Sequence, residues 1–206
     1  VYESLIKPEK EAKVLIREGK LAQEREDKES INNSINIFSR VIARYPDTKS
    51  AQDAYFLIGT SYEKLGLNRL AHLKYLYLLK SGTKLDNGMT DDIRTRLAHL
   101  SILKNQTEEG VNQLLDMLNT STDRDFRSRV YTELGHTYLR NGEYVKSKRM
   151  FDIALTEKGD NEEAIIGKAR TYKRLGEDSK AYDMYDYFLK YYGNFSSYAA
   201  DVRKAY

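Results

Sequence analysis

The sequence predicts an all-α solenoid of repeated helix pairs, and three observations support this. A pattern of a large residue, Leu or Ile, a small residue and then Tyr recurs along the chain. Each repeat is numbered in a frame whose fourth residue is the large residue of the pattern. Two successive frames start at residues 128 and 162, which are 34 residues apart. That period is typical of helix–turn–helix repeats. The chain has only 2 prolines in 206 residues, and an interior proline costs a helix about 3 kcal/mol.

The repeated pattern is clearest in three copies. In one of them, Tyr131, Leu134 and Tyr138 fall on one helical stripe because they are three and four residues apart. Gly135, beside this stripe, predicts close approach of a second helix. Gly142 follows at a point suited to the left-handed backbone that ends many helices. The three copies lie at 55–62, 131–138 and 165–172, the last with Lys168 in place of Leu or Ile.

The frames predict a single domain over residues 1–206, with about five repeats and a terminal helix. The repeats are expected near 15–48, 52–85, 91–124, 128–161 and 162–195, and the terminal helix at 196–206. The frames that start at 15 and 91 are weaker, with Ala22 and Ala98 at the small position. Because 196–206 begins a sixth frame, this helix either caps the array or belongs to a longer protein.

Local signals predict helix ends and one hinge. Ser50 with Asp53, and Thr122 with Asp125, have the spacing of a capping residue and an acidic partner before a first helix. The turn-rich segment 82–88 is the loosest connection between frames and is the predicted hinge.

Composition and motifs exclude several classes of function. The 34 basic and 31 acidic residues are interspersed, so no nucleic-acid partner is expected. The absence of cysteine excludes disulfides and thiolate sites, and no run approaches the roughly 18 apolar residues of a membrane span. Phosphate-binding loops and hydrolase motifs are also missing. We therefore expect no enzyme activity, no catalytic residue and no cofactor. The first residue is Val1, which leaves an upstream leader or lipid anchor open.

The frames resemble the tetratricopeptide repeat (TPR) across residues 15–206. The resemblance implies a right-handed superhelix of antiparallel helix pairs, in which the first helices line a concave groove. Two segments, Arg-Tyr-Pro-Asp at 44–47 and Ser-Ala-x-x-Ala-Tyr at 50–55, are similar to bacterial cell-envelope TPR proteins. Examples are outer-membrane assembly lipoproteins and the periplasmic coordinator of the Tol system. That likeness implies a periplasmic or envelope location, with the cytoplasm as the alternative, and a role in outer-membrane integrity or cell division.

The same resemblance places partner-binding residues on the groove side of the first helices, at positions 5 and 9 of each frame. The predicted partner-binding residues are Phe56, Thr60, Thr95, His99, Thr132, His136, Ile166 and Arg170. Cochaperone members of the family grip a terminal carboxylate with Lys and Asn at these two positions in the first repeat. No frame of this chain has that pairing, so chaperone tails are not expected partners.

Titratable clusters suggest chemistry only weakly. His99 and His136 share a frame position and could form a two-histidine metal or pH-sensing site. The pattern supplies no third ligand, so groove lining is the preferred interpretation and no metal is predicted. The acidic pairs at 91–92 and 162–163 could serve acid–base catalysis. Their expected place in a first helical turn, where carboxylates favour the helix dipole, explains them better.

Aromatic residues are dense between 182 and 198. Tyr185 and Phe188 occupy signature positions and are expected in the core. Tyr187 and Tyr191 fall on another face of the same helix, where they either form a protein interface or are covered by the terminal helix.

These observations predict a non-catalytic scaffold that binds a protein or peptide through its groove. The alternative is a helical interaction domain of a longer multidomain protein whose activity lies elsewhere. The patterns specify neither the partner nor the oligomeric state.

Overall fold

A computed structural model describes residues 2–25, 27–82, 84–103 and 107–206, with side chains described from residue 7 onwards. These residues form eleven α-helices and no strand, which confirms the predicted all-α class. The helices are α1 (Tyr2–Gln23), α2 (Lys28–Arg44), α3 (Lys49–Lys64), α4 (Asn68–Lys80), α5 (Asn87–Leu103), α6 (Thr107–Thr120), α7 (Arg124–Arg140), α8 (Tyr144–Glu157), α9 (Glu162–Arg174), α10 (Asp178–Tyr192) and α11 (Ala199–Ala205).

The chain divides into two compact units, Val1–Leu100 and Ser101–Tyr206. In the first unit, α1 packs on α2, α2 on α3 and α3 on α4. In the second, α7 packs on α8, α8 on α9, α9 on α10 and α10 on α11. Each unit is therefore a sequential stack of helix pairs joined by short turns. The grouping of all repeats into a single domain stays a prediction.

A glycine closes the turn inside three of the helix pairs. Gly142 has a φ of 78°, as its left-handed role requires. The next residue, Glu143, donates its backbone N–H to the carbonyl of Tyr138 at 2.9 Å. The signature tyrosine thus accepts the bond that ends its own helix. Gly66 and Gly176 are equivalent, with φ of 72° and 76°.

The residues that cap two first helices differ from the predicted ones. Thr48, not Ser50, caps α3 with its hydroxyl, and Asp123, not Thr122, caps α7 with its carboxylate. Ser50 lies inside α3, where it is buried and donates to Glu9 Oε1 at 2.8 Å. The predicted capping residues were wrong because several short polar side chains near each helix start could cap it. The residue directly before the first helical residue is the one that caps the helix.

In two of the three clear pairs, an aromatic ring from the second helix packs against the glycine of the first, Tyr75 on Gly59 and Phe151 on Gly135. The ring of Phe151 in α8 is fully buried and meets both Gly135 in α7 and Gly167 in α9. A Cβ atom on Gly135 would lie 2.7 Å from the ring, so only glycine fits without rearrangement. This confirms the predicted close approach at Gly135.

The first pair has a different register from the predicted frame. Gly19, not Ala22, lies against the ring of Phe38. Gly19 precedes Phe38 by 19 residues, whereas Gly135 precedes Phe151 by 16. Three additional residues around the first turn therefore displace α1 relative to a frame counted from residue 15.

The terminal helix α11 closes the second unit. Val202 is buried in the same apolar cluster as Tyr185 and Phe188 of α10. Ala199, at the start of α11, is also buried. The helix predicted within 196–206 thus packs on the apolar side of the pair formed by α9 and α10.

Candidate functional site

The eight predicted partner-binding residues fall equally into the two units. The first unit holds Phe56, Thr60, Thr95 and His99. The second holds Thr132, His136, Ile166 and Arg170.

In the first unit, Phe56 is half-buried between charged and aromatic neighbours. Its ring centroid lies 5.4 Å from the guanidinium carbon of Arg96 and 5.8 Å from the ring of Tyr75. Arg96 Nη1 also donates to Glu63 Oε2 at 2.7 Å. The exposed part of the Phe56 ring is therefore bordered by a compensated ion pair. Counting along the frames would have found Glu63, which occupies a groove position.

A buried polar pair lies behind this ring. Burial raises the pKa of Tyr75 far above its usual range; the positive charge of Arg96 partly opposes this rise and the carboxylate of Glu63 adds to it. Tyr75 is fully buried. Its hydroxyl and the Oε1 atom of Glu63 have no hydrogen-bond partner among the described residues. The tyrosine is consequently neutral at physiological pH.

Thr60 belongs to an internal hydrogen-bond network. Its hydroxyl donates to the carbonyl of Leu57 at 2.9 Å and accepts from Gln23 Nε2 at 2.9 Å. The same amide nitrogen lies 2.7 Å from Ser61 Oγ, and Gln23 is buried. The polar atoms of Thr60 therefore tie α1 to α3. The network was missed because Gln23 lies in the repeat whose frame was displaced.

Thr95 and His99 lie on α5, and both are half-buried. The hydroxyl of Thr95 donates to the carbonyl of Asp91 at 2.9 Å. Asp91 and Asp92 lie past the first turn of their helix, because α5 begins at Asn87. The expected first-turn position of this acidic pair was therefore wrong.

In the second unit, Thr132 and Ile166 are buried, contrary to a groove-lining role. Thr132 is 3% exposed, donates to the carbonyl of Ser128 at 2.8 Å and accepts from Asn161 Nδ2 at 3.0 Å. Ile166 is 4% exposed within the terminal apolar cluster. Both residues stand at position 5 of their frames, and in this unit the part of the chain that follows each helix pair covers that position. These two side chains offer almost no surface to a partner.

His136 is half-buried and lies at the boundary between two repeats. Its Nε2 atom is 3.3 Å from Glu163 Oε1, and its ring meets Phe151 edge-on at 5.0 Å between centroids. The short separation is not a hydrogen bond, because the orientation of the two groups is unfavourable. The pairing requires a protonated imidazole. Glu163 stands in the first turn of α9, as expected for the acidic pair at 162–163.

Arg170 is exposed and lines an open cleft of about 770 Å³ in the second unit. The last turns of α7 and α9, the first residue of α8 and the middle of α10 form the cleft. Its lining residues are Leu139, Arg140, Tyr144, Arg170, Lys173, Arg174 and Tyr185. Four of these carry positive charge and none carries negative charge.

The four cations of this cationic cleft differ in their partners. Arg140 Nη2 lies 3.3 Å from Glu133 Oε1. Lys173 Nζ donates to the Ala205 carbonyl at 3.5 Å. Arg170 and Arg174 form no ion pair with any residue that the structure describes. Two guanidinium groups are therefore available at the surface.

The cations act on the tyrosine that they surround. Tyr185 is 1% exposed. Burial raises the pKa of Tyr185, and the positive charges of Arg170 and Lys173 partly oppose that rise. The cleft therefore contains an uncharged tyrosine ring, that of Tyr185, close to the positive charges of Arg170 and Lys173. Arg140 and Arg174 were not predicted as site residues. They stand 34 residues apart at the same frame position, and that periodicity was the signal.

The described residues contain no group of three or more His, Cys, Asp or Glu side chains that could hold a metal ion. His99 and His136 belong to different units. In the part of the chain that is described, no helix is both long and apolar enough to cross a membrane.

Exposed aromatic rings lie on α10 and in the turn that follows it. Tyr187 is 46%, Tyr191 53% and Phe195 73% exposed. The rings of Tyr187 and Tyr191 lie 4.7 Å apart. Helix α11 does not cover them, since Tyr206 at its end packs on Tyr182 at 5.5 Å instead. Of the two alternatives for these tyrosines, the structure excludes coverage by the terminal helix.

The described helices form sequential pairs, three of them closed by a glycine with a left-handed backbone. The chain is similar to TTC0263, a TPR protein of Thermus thermophilus, with TM-score 0.73, 16% identity and coverage of 94% of this chain and 96% of that one. It is similar to BtubC of P. vanneervenii, with TM-score 0.62, 17% identity and coverage of 98% and 91%. YrrB, described as a TPR protein with an unusual peptide-binding site, gives TM-score 0.50, 15% identity and coverage of 92% and 90%.

These likenesses confirm the predicted TPR resemblance at the level of the fold. Neither a scan of family models nor a search of curated protein sequences gives a match. The closer likeness to bacterial envelope proteins stays a prediction.

Proposed function

We propose that the chain is a non-catalytic scaffold that binds a protein or peptide partner through the groove side of its first helices. The observation that carries the proposal is the cationic cleft, where the predicted residue Arg170 is exposed and has no ion-pair partner among the described residues. The fold supports it as well, because YrrB has the same fold and is described as having a peptide-binding site.

The partner-binding surface in this proposal is smaller than the predicted one. Phe56 and His99 represent the first unit, and His136 and Arg170 the second, because each keeps some exposed surface. Thr95 is also half-buried and stays among the proposed residues. Thr60 and Thr132 instead serve the hydrogen-bond networks described above, and Ile166 serves the core.

The proposed cellular role is scaffolding in a bacterial envelope, in outer-membrane integrity or cell division. Only the segments at 44–47 and 50–55 support it. A domain of a longer multidomain protein is the alternative, and it would use the same surface. Fractionation of the native cells tests the location, and recovery in the cytoplasm would contradict it.

A random-peptide phage library tests the proposed binding. Peptides selected on the wild-type chain should lose at least about tenfold in affinity for a His136→Gln, Arg170→Gln double variant. The matched control is Arg149→Gln, Lys190→Gln, which changes exposed residues outside the cleft. Selection of no peptide, or equal affinity for both double variants, would contradict the proposal. Thermal unfolding of each variant shows that the fold is retained.

A further inference from the structure

We propose that the cationic cleft of the second unit is a subsite for a peptide segment that carries clustered negative charges. The inference rests on the proposed peptide-binding function and names the chemistry of the partner at this site. The cleft is formed by residues of the second unit alone.

The charge balance of the cleft is the first argument. Arg140, Arg170, Lys173 and Arg174 converge with no carboxylate in the lining. Cations gathered in one place repel one another, and that cost is recovered when an anion binds among them. Within the described part of the chain, Arg140 alone among the four has a carboxylate partner, Glu133.

The helix dipole accounts for only part of this arrangement. A basic residue in the last turn of a helix is favourable because carbonyl groups point outward there. Helix α7 has one such residue, Arg140, and α3 has one, Lys64. Helix α9 has both Lys173 and Arg174, in addition to Arg170 in the preceding turn. Two basic residues also end α11, so what distinguishes this site is the convergence of cations from two neighbouring helices, α7 and α9.

The first unit provides an internal comparison. Its residue at the frame position of Lys173 is Glu63, which pairs with Arg96 at 2.7 Å. Arg96 is thus paired within the fold. In the repeat at 162–195 the same frame position carries Lys173, which supplies no negative charge to the arginines beside it.

Geometry indicates a short acidic segment with an apolar side chain. An arginine guanidinium binds a carboxylate or phosphate through two parallel hydrogen bonds, and Arg170 and Arg174 are available for this. Leu139 and the rings of Tyr144 and Tyr185 form the uncharged walls. A volume of about 770 Å³ is enough for several side chains.

Synthetic peptides of equal length and net charge test the inference on the full chain. One carries consecutive glutamates beside a leucine, one carries half as many consecutive phosphoserines beside a leucine because each phosphoserine has a charge of about −2, and one has its glutamates dispersed. An oligothymidylate strand of equal charge is the fourth probe. Affinity is measured by fluorescence anisotropy for the wild type, for Arg170→Gln with Arg174→Gln, and for the control Arg149→Gln with Lys190→Gln.

The inference predicts that a clustered peptide binds at least about tenfold more tightly than the dispersed one. The cleft variant should remove most of that difference, whereas the control should change it less than about twofold. The stronger of the glutamate and phosphoserine peptides identifies the source of the anion. Equal losses in both variants would overturn the inference, as would tightest binding of the oligothymidylate.

The two proposals can fail separately. If library-selected peptides bind through His136 and Arg170 but show no preference for clustered charge, the scaffold function stands and the acidic subsite is wrong. If no peptide of either kind binds, the scaffold function itself is contradicted.

Discussion

The ring of Phe151 occupies the space that a Cβ atom on Gly167 would need, one repeat further along the chain. This contact joins α8 to α9, whereas the equivalent contact with Gly135 joins the two helices of one pair. A single buried ring thus holds three helices together. Folding of the second unit should therefore depend strongly on two glycines that have no role in binding.

Replacement of Gly167 by alanine should destabilise the chain by about 1–2 kcal/mol. Overpacking against a fixed ring costs about 1–3 kcal/mol, and the better helix propensity of alanine offsets part of it. Urea unfolding followed by circular dichroism measures the loss. Gly159→Ala is the matched control, because the nearest atom to its Cβ would be 3.8 Å away.

A second variant tests the cause of that loss. In a Phe151→Leu background the ring is absent, so Gly167→Ala should cost clearly less than it does in the wild type. If the cost is the same in both backgrounds, the contact between ring and glycine does not explain it.

Asn161 should stabilise the second unit in two separable ways. Its Oδ1 accepts from the backbone of Ala164 as the cap of α9, and its Nδ2 donates to Ser128 at 2.8 Å and to Thr132 at 3.0 Å. Asn161→Asp keeps the cap and loses both donors, and should cost about 1 kcal/mol. Asn161→Ala loses the cap as well and should cost about 2 kcal/mol.

Asn194→Asp, at an exposed turn position, controls for the added charge and should change stability by less than about 0.5 kcal/mol. Denaturant unfolding of the three variants gives the comparison. Wild-type stability of Asn161→Asp would show that the donors contribute nothing.

Tyr75 should make the chain sensitive to alkali. Because its pKa is raised in the folded state, the folded chain keeps a proton that the unfolded chain releases above about pH 10. The stability that Tyr75 contributes is therefore fully present below that pH. As pH rises above it, the free energy of unfolding falls by about 1.4 kcal/mol per pH unit for this residue.

Tyr75→Phe removes this contribution and should reduce the alkaline slope of the unfolding free energy. At neutral pH it should cost little, since the hydroxyl has no hydrogen bond among the described residues. Unfolding free energies measured across alkaline pH provide the test. An unchanged slope would place the alkali sensitivity in other tyrosines.

The fold was predictable because its signals are local. The turn at Gly142 and the close approach at Gly135 depend on residues within one helix pair, and both were confirmed. The cap of α3 was not, because Thr48 and Ser50 are chemically equivalent candidates two residues apart. Which of the two caps the helix depends on Glu9 of α1, because Glu9 accepts the hydrogen bond of the Ser50 hydroxyl.

The candidate site was less predictable because it depends on packing between repeats. Thr132 occupies a groove position by frame count, yet Asn161, the cap of α9, covers it. Arg170 is exposed, as a groove position requires, and its role in binding stays a prediction. Its neighbours Arg140 and Arg174 were missed, because their frame position was not counted as part of the groove.

Stability and affinity measured together on two variants test the central claim, that folding and binding use different residues. Against a library-selected peptide, His136→Gln with Arg170→Gln should weaken binding at least about tenfold. Its unfolding free energy should fall by less than about 1 kcal/mol, because Arg170 is exposed and only the edge contact of the half-buried His136 ring with Phe151 is lost. Gly167→Ala should show the reverse, lower stability with unchanged affinity while folded. If the His136 and Arg170 variant instead loses as much stability as Gly167→Ala, those two side chains belong to the structural framework and the claim is wrong.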